Sequence, residues 1–258
     1  MGNTLAIINQ KGGVGKSTTA QTIAAGLTLK GCKTLVIDLD AQGNTSYSFG
    51  AGTRLEGQIS GHTALDVLLR DCNAEDAIVQ TPYADMIPAC KRLAAADSLI
   101  AETGKEYRLK EALEPVKAKY DFIIIDTPPA LGILTVNALT AADSIIIPAQ
   151  ADLYSLQGIS DLVETIKPVK KYCNHKLQIE GILLTRFNQR YNFNQAILEM
   201  TEKLAAQLET RVFQTTIRES LTVRKAQAAR QSLFEYAPKE KITQDYADLI
   251  NELLKERK

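Results

Sequence analysis

Ten consecutive residues near the start of the chain combine glycines, two lysines and hydroxyl side chains. The run is Asn9-Gln10-Lys11-Gly12-Gly13-Val14-Gly15-Lys16-Ser17-Thr18. Glycines let backbone N–H groups curve round an anion, and a helix that starts at the end of the loop points its positive end at the same place. Lys16 would then neutralise the β and γ phosphates of a nucleotide, and the Ser17 hydroxyl would hold Mg²⁺. The predicted phosphate-contacting residues are Lys11, Gly12, Gly13, Val14, Gly15, Lys16, Ser17 and Thr18.

Lys11 is the unusual residue of this loop. The common pattern G-x-x-x-x-G-K-[ST] would place a glycine at Gln10, and here a second lysine follows that position. A second cation on the same loop must find an anion. It either contacts the bound phosphates of its own chain or reaches across a dimer to the partner's nucleotide, as an arginine finger does in trans. The second alternative would make ATP the bridge of a homodimer.

Two later segments place aspartates where apolar runs end. Asp126 closes the run Phe122–Asp126, Asp38 closes the run Thr34–Asp38, and Asp40 follows two residues later. A buried acid is costly unless a cation compensates it, so we expect Asp126 to hold Mg²⁺ through water. Either of the other two could reach the metal, and Asp40 is the better candidate to orient the attacking water. The alternative for Asp38 is a capping or turn role. The predicted catalytic set is Lys11, Lys16, Asp40 and Asp126, and the predicted metal set is Ser17, Asp40 and Asp126. Hydrolysis should be slow, because an aspartate with a reference pKa of about 3.9 is a weak base.

The elements that must position these side chains alternate between short apolar runs and helical patterns. The predicted strands are Leu5–Asn9, Thr34–Asp38, Phe122–Asp126, Ser144–Pro148, Ile179–Thr185 and Val212–Thr215. The predicted helices include Thr19–Lys30, Lys105–Lys119, Ile133–Ala142, Leu156–Tyr172 and Asn194–Leu208. Runs that are apolar throughout are typical of strands covered on both faces. The pattern predicts one α/β domain over residues 1–258, with a doubly wound, mostly parallel sheet and helices on both faces.

Composition limits the class of protein. The chain has 258 residues, of which 45% are hydrophobic, and no apolar run approaches the ~18 residues of a membrane-spanning helix. The phosphate loop begins within ten residues of Met1 and leaves no room for a secretory signal, so a cytoplasmic location is expected. The four cysteines are scattered without a C-x-x-C pair, which favours reduced thiols over a zinc site or disulfides. The polar stretch 50–61 is expected to be a mobile loop.

Charge is balanced overall but unevenly distributed. The formal net charge is zero, which argues against binding nucleic acid by overall charge. Residues 1–160 hold 13 Lys and Arg against 17 Asp and Glu, whereas residues 161–258 hold 17 against 13. Residues 211–230 contain five basic residues and one acid. Any polyanion surface should therefore lie in the later part of the chain.

Taken together, these motifs resemble the ParA/MinD group of deviant Walker ATPases over nearly the whole chain. The mark of that group is Lys-Gly-Gly-x-Gly-Lys-[Ser/Thr], and Asp38-Leu39-Asp40-Ala41-Gln42-Gly43-Asn44 is similar to its Asp-x-Asp-Pro-Gln-Gly-Asn, with Ala41 in place of proline. Asp126-Thr127-Pro128-Pro129 is similar to its second switch, and Gly181–Thr185 to the strand leading to its base pocket. Within the group, the chain is most similar to short, Soj-like ParA proteins.

The resemblance implies a cofactor, partners and further site residues. It implies Mg²⁺ and ATP, a homodimer with Lys11 crossing the interface, sequence-nonspecific DNA binding on the nucleoid, and a ParB-like (Spo0J-like) centromere-binding partner that stimulates hydrolysis. By position, Asn188 would meet the adenine edge, Asp152 would line the base pocket, and Arg190 would contact DNA. One family motif, Ile-Pro-Arg-Asn, is replaced by Ile217-Arg218-Glu219-Ser220, so its DNA-contacting arginine is absent. The basic residues that could replace it are Arg218, Arg224, Lys225 and Arg230.

Two alternatives belong to other functional classes. A MinD-like membrane switch would need its last helical segment, Lys241–Lys258, to enter anionic bilayers with its apolar face. That segment carries Asp245, Asp248, Glu252 and Glu256, so packing on the body of the protein is expected and no stable membrane association. A metabolic or redox enzyme on the same fold is the other alternative. An iron–sulfur donor would need cysteines near the second switch, and residues 126–143 contain none.

Overall fold

A parallel β-sheet forms the centre of the molecule. The computed structural model describes residues 2–51, 61–188 and 192–255. Within these ranges the strands are β1 (Asn3–Ile7), β2 (Thr34–Asp38), β3 (Asp85–Ile87), β4 (Phe122–Asp126), β5 (Ser144–Gln150) and β6 (Gln178–Thr185). They lie in the order β3-β2-β4-β1-β5-β6, and every neighbouring pair is parallel. The predicted doubly wound α/β class is confirmed.

Helices connect the strands and cover the sheet. In chain order they are α1 (Lys16–Leu29), α2 (Asn44–Ser48), α3 (Ala64–Leu69), α4 (Ala96–Leu99), α5 (Arg108–Lys117), α6 (Ile133–Ala141), α7 (Leu153–Tyr172), α8 (Asn192–Gln207), α9 (Leu221–Ala228), α10 (Leu233–Tyr236) and α11 (Lys241–Lys255). Short 3₁₀ turns occur at Glu75–Ala77, Lys91–Ala95 and Lys105–Tyr107. Residues 52–60, which include most of the predicted loop 50–61, lie outside the described ranges.

Strand residues alternate between two separate hydrophobic clusters. Ala6, Leu35, Ile123 and Ile145 pack with residues of α3, α5, α6 and α7 on one face. Leu5, Val36, Ile124 and Ile146 pack with residues of α1, α10 and α11 on the other. Both faces of the strands are therefore buried, which is the physical reason for their uninterrupted apolar sequences.

Apart from shifts of one or two residues at strand ends, as for β1 against the predicted Leu5–Asn9, the structure differs from the predicted strands in two places. Strand β3 was not predicted, because it has three residues and begins with the charged Asp85. The predicted strand Val212–Thr215 is wrong: this segment makes only a single bridge, between Val212 and Ile182. The backbone N–H groups of Gln214 and Thr215 donate to the Glu252 carboxylate at 3.0 Å instead of to a neighbouring strand. A side chain from α11 thus ends the ladder.

Helix α11 packs against the sheet with its apolar side. Ile242, Tyr246, Leu249, Ile250 and Leu253 are all buried in the cluster that also contains α1. This is the predicted use of the last helical segment, although Glu256 lies outside the described residues. Among the described helices, none combines the length and the apolar character that crossing a bilayer requires.

Candidate nucleotide-binding site

The carboxyl ends of the parallel strands meet in one cleft of about 1010 Å³. Its lining brings together residues that are far apart in the chain: the loop Gly12–Thr18, Asp40, Pro129, Arg186 and Arg224. A cleft at this edge is where open parallel sheets bind ligands. The phosphate loop forms its floor, since β1 lies in the middle of the sheet and α1 begins directly after the loop.

The phosphate loop is held in shape by glycines and by two later side chains. Gly13 and Gly15 have φ values of 77° and 91°, in the left-handed region that favours glycine. The Thr185 hydroxyl donates to the Val14 carbonyl at 2.9 Å, and the Gln150 amide donates to the Gly13 carbonyl at 3.0 Å. These contacts fix the shape of the loop.

Lys16 lies buried beneath the loop. Its ammonium group donates to the Lys11 carbonyl at 3.1 Å. Burial lowers the pKa of Lys16, while the nearby charges of Asp126 and Asp40 act in the opposite direction. A desolvated cation at the start of a helix is well placed to bind a phosphate anion.

Asp126 and Asp38 are register partners on neighbouring strands β4 and β2, and both are fully buried. The Thr45 hydroxyl donates to Asp126 Oδ2 at 2.7 Å, whereas Asp126 Oδ1 is buried without a hydrogen-bond partner in the described structure. Burial and then the charge of Asp38 raise the pKa of Asp126 to about 8, and the hydrogen bond from Thr45 opposes this shift. The raised pKa indicates that nearby cations do not fully compensate the charge of the Asp126–Asp38 pair.

Asp38 and Asp40 occupy different positions. Asp38 accepts hydrogen bonds from the Ser46 backbone and hydroxyl, both at 2.8 Å, and from the Asp40 backbone at 3.1 Å. Burial raises its pKa to about 6 despite these donors. Asp40 lines the cleft, and its Oδ1 accepts from the Gln42 backbone at 3.0 Å. Asp38 thus anchors helix α2, and Asp40 is the carboxylate that faces a ligand.

The oxygen atoms at this end of the cleft suit Mg²⁺. The unpartnered Oδ1 of Asp126, the Ser17 hydroxyl and the Asp40 carboxylate are hard ligands of the kind that Mg²⁺ takes, directly or through water. Among the described residues, no group of three or more His, Cys, Asp and Glu side chains could hold a metal alone. Mg²⁺ usually keeps several waters and takes substrate phosphates as ligands, so these few protein oxygens are sufficient.

Lys11 finds its anion within its own chain. Its ammonium group lies 2.7 Å and 2.9 Å from the two oxygens of Asp152, and 3.3 Å from the Ser155 hydroxyl. Asp152 is also the N-cap of α7 and accepts from the Ser155 backbone at 2.8 Å. Desolvation raises the pKa of Asp152, but the hydrogen bonds from Lys11 and Ser155 outweigh it and leave that pKa below its ordinary value. This contact with Lys11 differs from the base contact that the family resemblance implies for Asp152.

Three further predicted site residues, Asn188, Arg218 and Arg230, lie among the described residues. Asn188 is exposed just after β6, and Arg190 lies outside the described residues. Arg218 forms a two-pronged ion pair with Asp245 at 2.6 Å and 2.7 Å. Arg230 stacks over the Tyr47 ring, with its guanidinium carbon 4.6 Å from the ring centre.

Helix α9 carries the adjacent basic residues Arg224 and Lys225. Both are exposed, and Arg224 lines the cleft. Gln227 on the same helix donates to the Thr18 hydroxyl at 3.3 Å. The helix with the exposed basic pair therefore contacts the end of the phosphate loop.

Sequence reasoning missed several residues that shape the site. Thr45 and Gln150 bond to the groups around the predicted phosphate position, and Arg186 lines the cleft directly after β6. The signal used for Asp38 and Asp126, a polar residue at the end of an apolar strand, also marks Thr185 and Arg186. Thr45 and Gln150 carry no such signal, since their roles depend on contacts across the sheet.

A six-stranded parallel sheet with this loop and paired strand-end acids defines a P-loop ATPase. Known proteins agree. An AAA domain family model matches residues 2–179, and a model of 4Fe-4S iron sulfur cluster binding proteins of the NifH/frxC family matches residues 120–258. Within the second range the chain has one cysteine, Cys173, so we take that match as a likeness of fold.

The chain is 39% identical to the sporulation initiation inhibitor protein Soj of Bacillus subtilis, over 98% of both chains. It is 38% identical to the chromosome partitioning protein ParA of Myxococcus xanthus, over 99% of this chain and 89% of that one. Among solved structures, cobyrinic acid a,c-diamide synthase of Mycobacterium smegmatis, with a bound ATP analog and magnesium, superposes with a TM-score of 0.83 at 32% identity. That superposition covers 98% of this chain and 95% of the other. The chain belongs to the ParA/Soj family of partitioning ATPases.

Proposed function

We propose that the chain is an ATP-driven DNA-partitioning switch that binds Mg²⁺–ATP in this cleft. Residues Gly12–Thr18 wrap the phosphates, and Lys16 neutralises the β and γ groups. The Ser17 hydroxyl, Asp126 and Asp40 would hold Mg²⁺ at this end of the cleft. The metal neutralises charge on the phosphates when bound. The unpartnered Asp126 oxygen supports this assignment, since a hydrated cation would satisfy it.

ATP binding changes the partner of Lys11. The Lys11–Asp152 pair leaves about 30% of each side chain exposed, and an ion pair of that kind contributes only about 0–1 kcal/mol. Such a pair is easily exchanged for a triphosphate, which carries more negative charge. In the proposed switch, Lys11 leaves Asp152 and binds the nucleotide of a second copy, so that ATP joins the homodimer.

Hydrolysis and release follow from the Asp40 position. Asp40 faces the cleft and orients the attacking water, while contributing little as a base. Slow hydrolysis keeps the dimer intact until a ParB-like partner accelerates it. The dimer then dissociates and leaves the nucleoid.

DNA binding would use the basic residues of the last hundred positions. Arg224 and Lys225 are exposed, so they are available for phosphate contacts. Arg218 and Arg230 are engaged with Asp245 and Tyr47, and they would contribute less. Arg190 keeps the DNA contact that the family resemblance implies.

The observation that carries this proposal is the second lysine of the phosphate loop, held by a weak pair beside an otherwise complete ATP site. Size-exclusion chromatography with ATP, ADP and no nucleotide tests it. We expect the native chain to dimerise with ATP only, Asp40→Ala to accumulate the ATP dimer, and Lys11→Ala to stay monomeric. Lys33→Ala, which removes an exposed lysine at the opposite edge of the sheet, is the control and should behave as the native chain. Full ATP-dependent dimerisation of Lys11→Ala would reject the exchange.

DNA binding has its own test. Affinity for nonspecific duplex DNA should require ATP and should fall steeply with salt. Replacing Arg224 and Lys225 by alanine should reduce the slope of log K against log salt by about 2, because two phosphate contacts are lost. The matched control replaces Lys91 and Arg92, another adjacent exposed basic pair, and should leave the slope unchanged. Equal DNA affinity with ADP and ATP would contradict the proposal.

A further inference from the structure

One backbone conformation in the cleft has no explanation in helix geometry. Four non-glycine residues of the described chain have positive φ: Arg70, Arg186, Glu209 and Arg230. Arg70, Glu209 and Arg230 follow α3, α8 and α9, where a left-handed residue commonly ends a helix. Arg186, with φ of 50°, instead follows strand β6. A left-handed side-chain-bearing residue at that place is uncommon and points to a functional constraint.

Both neighbours of Arg186 are fixed. The Thr185 hydroxyl donates to the carbonyls of Val14 and Ala149, at 2.9 Å and 3.2 Å. The Phe187 backbone donates to the Ile217 carbonyl at 3.0 Å, and the Phe187 side chain is buried. These contacts force the chain to turn at residue 186. Glycine or asparagine would adopt this conformation more easily, so the arginine side chain must have a use that offsets its strain.

The strand order places Arg186 at the end of the cleft opposite the metal. Asp126 ends β4 and Asp38 ends β2, whereas β6 lies three strands beyond β4, in the order β4-β1-β5-β6. At about 4.8 Å per strand, this separation is roughly 14 Å. A nucleotide with its γ-phosphate and Mg²⁺ beside Asp126 and its β-phosphate on the loop after β1 therefore extends its base toward β6.

The Arg186 side chain is available at that end. It is exposed, it lines the cleft, and within the described ranges it makes no ion pair or side-chain hydrogen bond. A guanidinium is planar and weakly hydrated, and it stacks on aromatic faces. Every nucleotide base offers such a face.

We propose that Arg186 is a nucleotide-binding residue whose guanidinium stacks on the base of the bound nucleotide. The strained turn after β6 fixes the backbone from which the side chain reaches the base. This inference rests on the proposed ATP binding and adds a contact that none of the loop residues supplies.

Nucleotide titration of Arg186→Gly tests the contact. Calorimetry or fluorescence should show ADP and ATP binding weakened about fivefold to tenfold, as expected for loss of one stacking arginine. Binding of inorganic tripolyphosphate, which has no base, should be unchanged. Arg186→Lys keeps the positive charge but loses the planar guanidinium, so it should also weaken ADP binding. Arg186→Asn tolerates the left-handed backbone and should behave as Arg186→Gly.

Glu209→Gly is the matched control, because it replaces a left-handed residue after α8. It should leave ADP affinity unchanged. The melting temperature of the nucleotide-free Arg186→Gly chain should equal or exceed that of the native chain, since the left-handed strain is relieved.

The outcomes separate this inference from the proposed function. Unchanged ADP affinity in Arg186→Gly, full ADP affinity in Arg186→Lys, or an equal loss for tripolyphosphate would each overturn the stacking contact. Native protein that binds neither ADP nor ATP would reject the proposed function itself.

Discussion

The two ends of the nucleotide cleft are built in different ways. At the β2–β4 end, two fully buried carboxylates are positioned by hydroxyl and backbone donors from Thr45, Ser46 and Asp40. At the β6 end, Thr185 bonds to backbone carbonyls, and the neighbouring Arg186 is exposed. The first end brings carboxylate oxygens together for a metal, whereas the second positions the main chain of the phosphate loop.

This contrast indicates that the two ends of the cleft have different functions. A buried pair of carboxylates has a large electrostatic effect on a bound cation and little freedom to move, which suits the reacting phosphate and Mg²⁺. Exposed groups on a fixed backbone provide binding contacts without the desolvation penalty of a buried charge. Substitutions at the β2–β4 end should therefore change the rate of hydrolysis, and substitutions at the β6 end should change affinity.

The largest expected effect comes from Asp126→Asn. An amide cannot replace the carboxylate that holds the hydrated metal, so ATP hydrolysis should fall about 100-fold or more. Phosphate release at saturating Mg²⁺–ATP measures it. ADP affinity in the presence of a chelator serves as the control and should change by no more than about threefold, because no metal contact is involved. Hydrolysis within tenfold of the native rate would place the metal elsewhere.

The same carboxylate pair should make stability depend on pH. The pKa values of Asp126 and Asp38 are raised to about 8 and about 6, so the folded chain binds more protons than the unfolded chain above about pH 4. The contribution of the pair to stability is therefore greatest at low pH and declines as pH rises toward 8, by at most about 1.4 kcal/mol per pH unit for each proton. Chemical unfolding in chelator from pH 5 to pH 8 measures this slope. Asp126→Asn should flatten it, and identical slopes in the two chains would contradict the coupling.

Thr45→Val should lower kcat about tenfold with little change in KM, since a hydrogen bond to a charged group contributes about 1.5–3 kcal/mol. The valine keeps the shape of the side chain but leaves Asp126 Oδ2 without its donor. Steady-state kinetics separate the two constants. A rise in KM with unchanged kcat would assign Thr45 to binding and break the contrast between the two ends.

Thr185→Val is the matched substitution at the other end and should have the smallest effect. Loss of the bond to the Val14 carbonyl should weaken ADP binding about threefold, consistent with a neutral hydrogen bond of about 1 kcal/mol. The hydrolysis rate at saturating ATP should not change. If Thr185→Val lowered kcat as strongly as Thr45→Val, the two ends would not be functionally distinct.

Local sequence patterns predicted most of the sheet and the centre of the site. The apolar runs at Thr34–Asp38 and Phe122–Asp126 match β2 and β4 residue for residue, because strands buried on both faces leave a continuous signal. The glycines and Lys16 identified the phosphate loop, because the role of each residue depends on its neighbours in the chain. Strand β3 was too short to give a signal, and the false strand at Val212–Thr215 was interrupted by Glu252, a residue from a distant helix.

The sequence by itself determined the parallel fold, the phosphate loop and the strand-end acids, because each depends on residues close together in the chain. Tertiary structure decided which partners these groups take. Lys11 meets Asp152 across 141 residues, and Thr185 meets Val14 across 171. Tertiary structure also gave Asp38 and Asp40 different hydrogen-bond partners and placed Arg186 in a turn with positive φ. Contacts of this kind arise when separate strands meet at one edge of the sheet, and residue spacing carries no record of them.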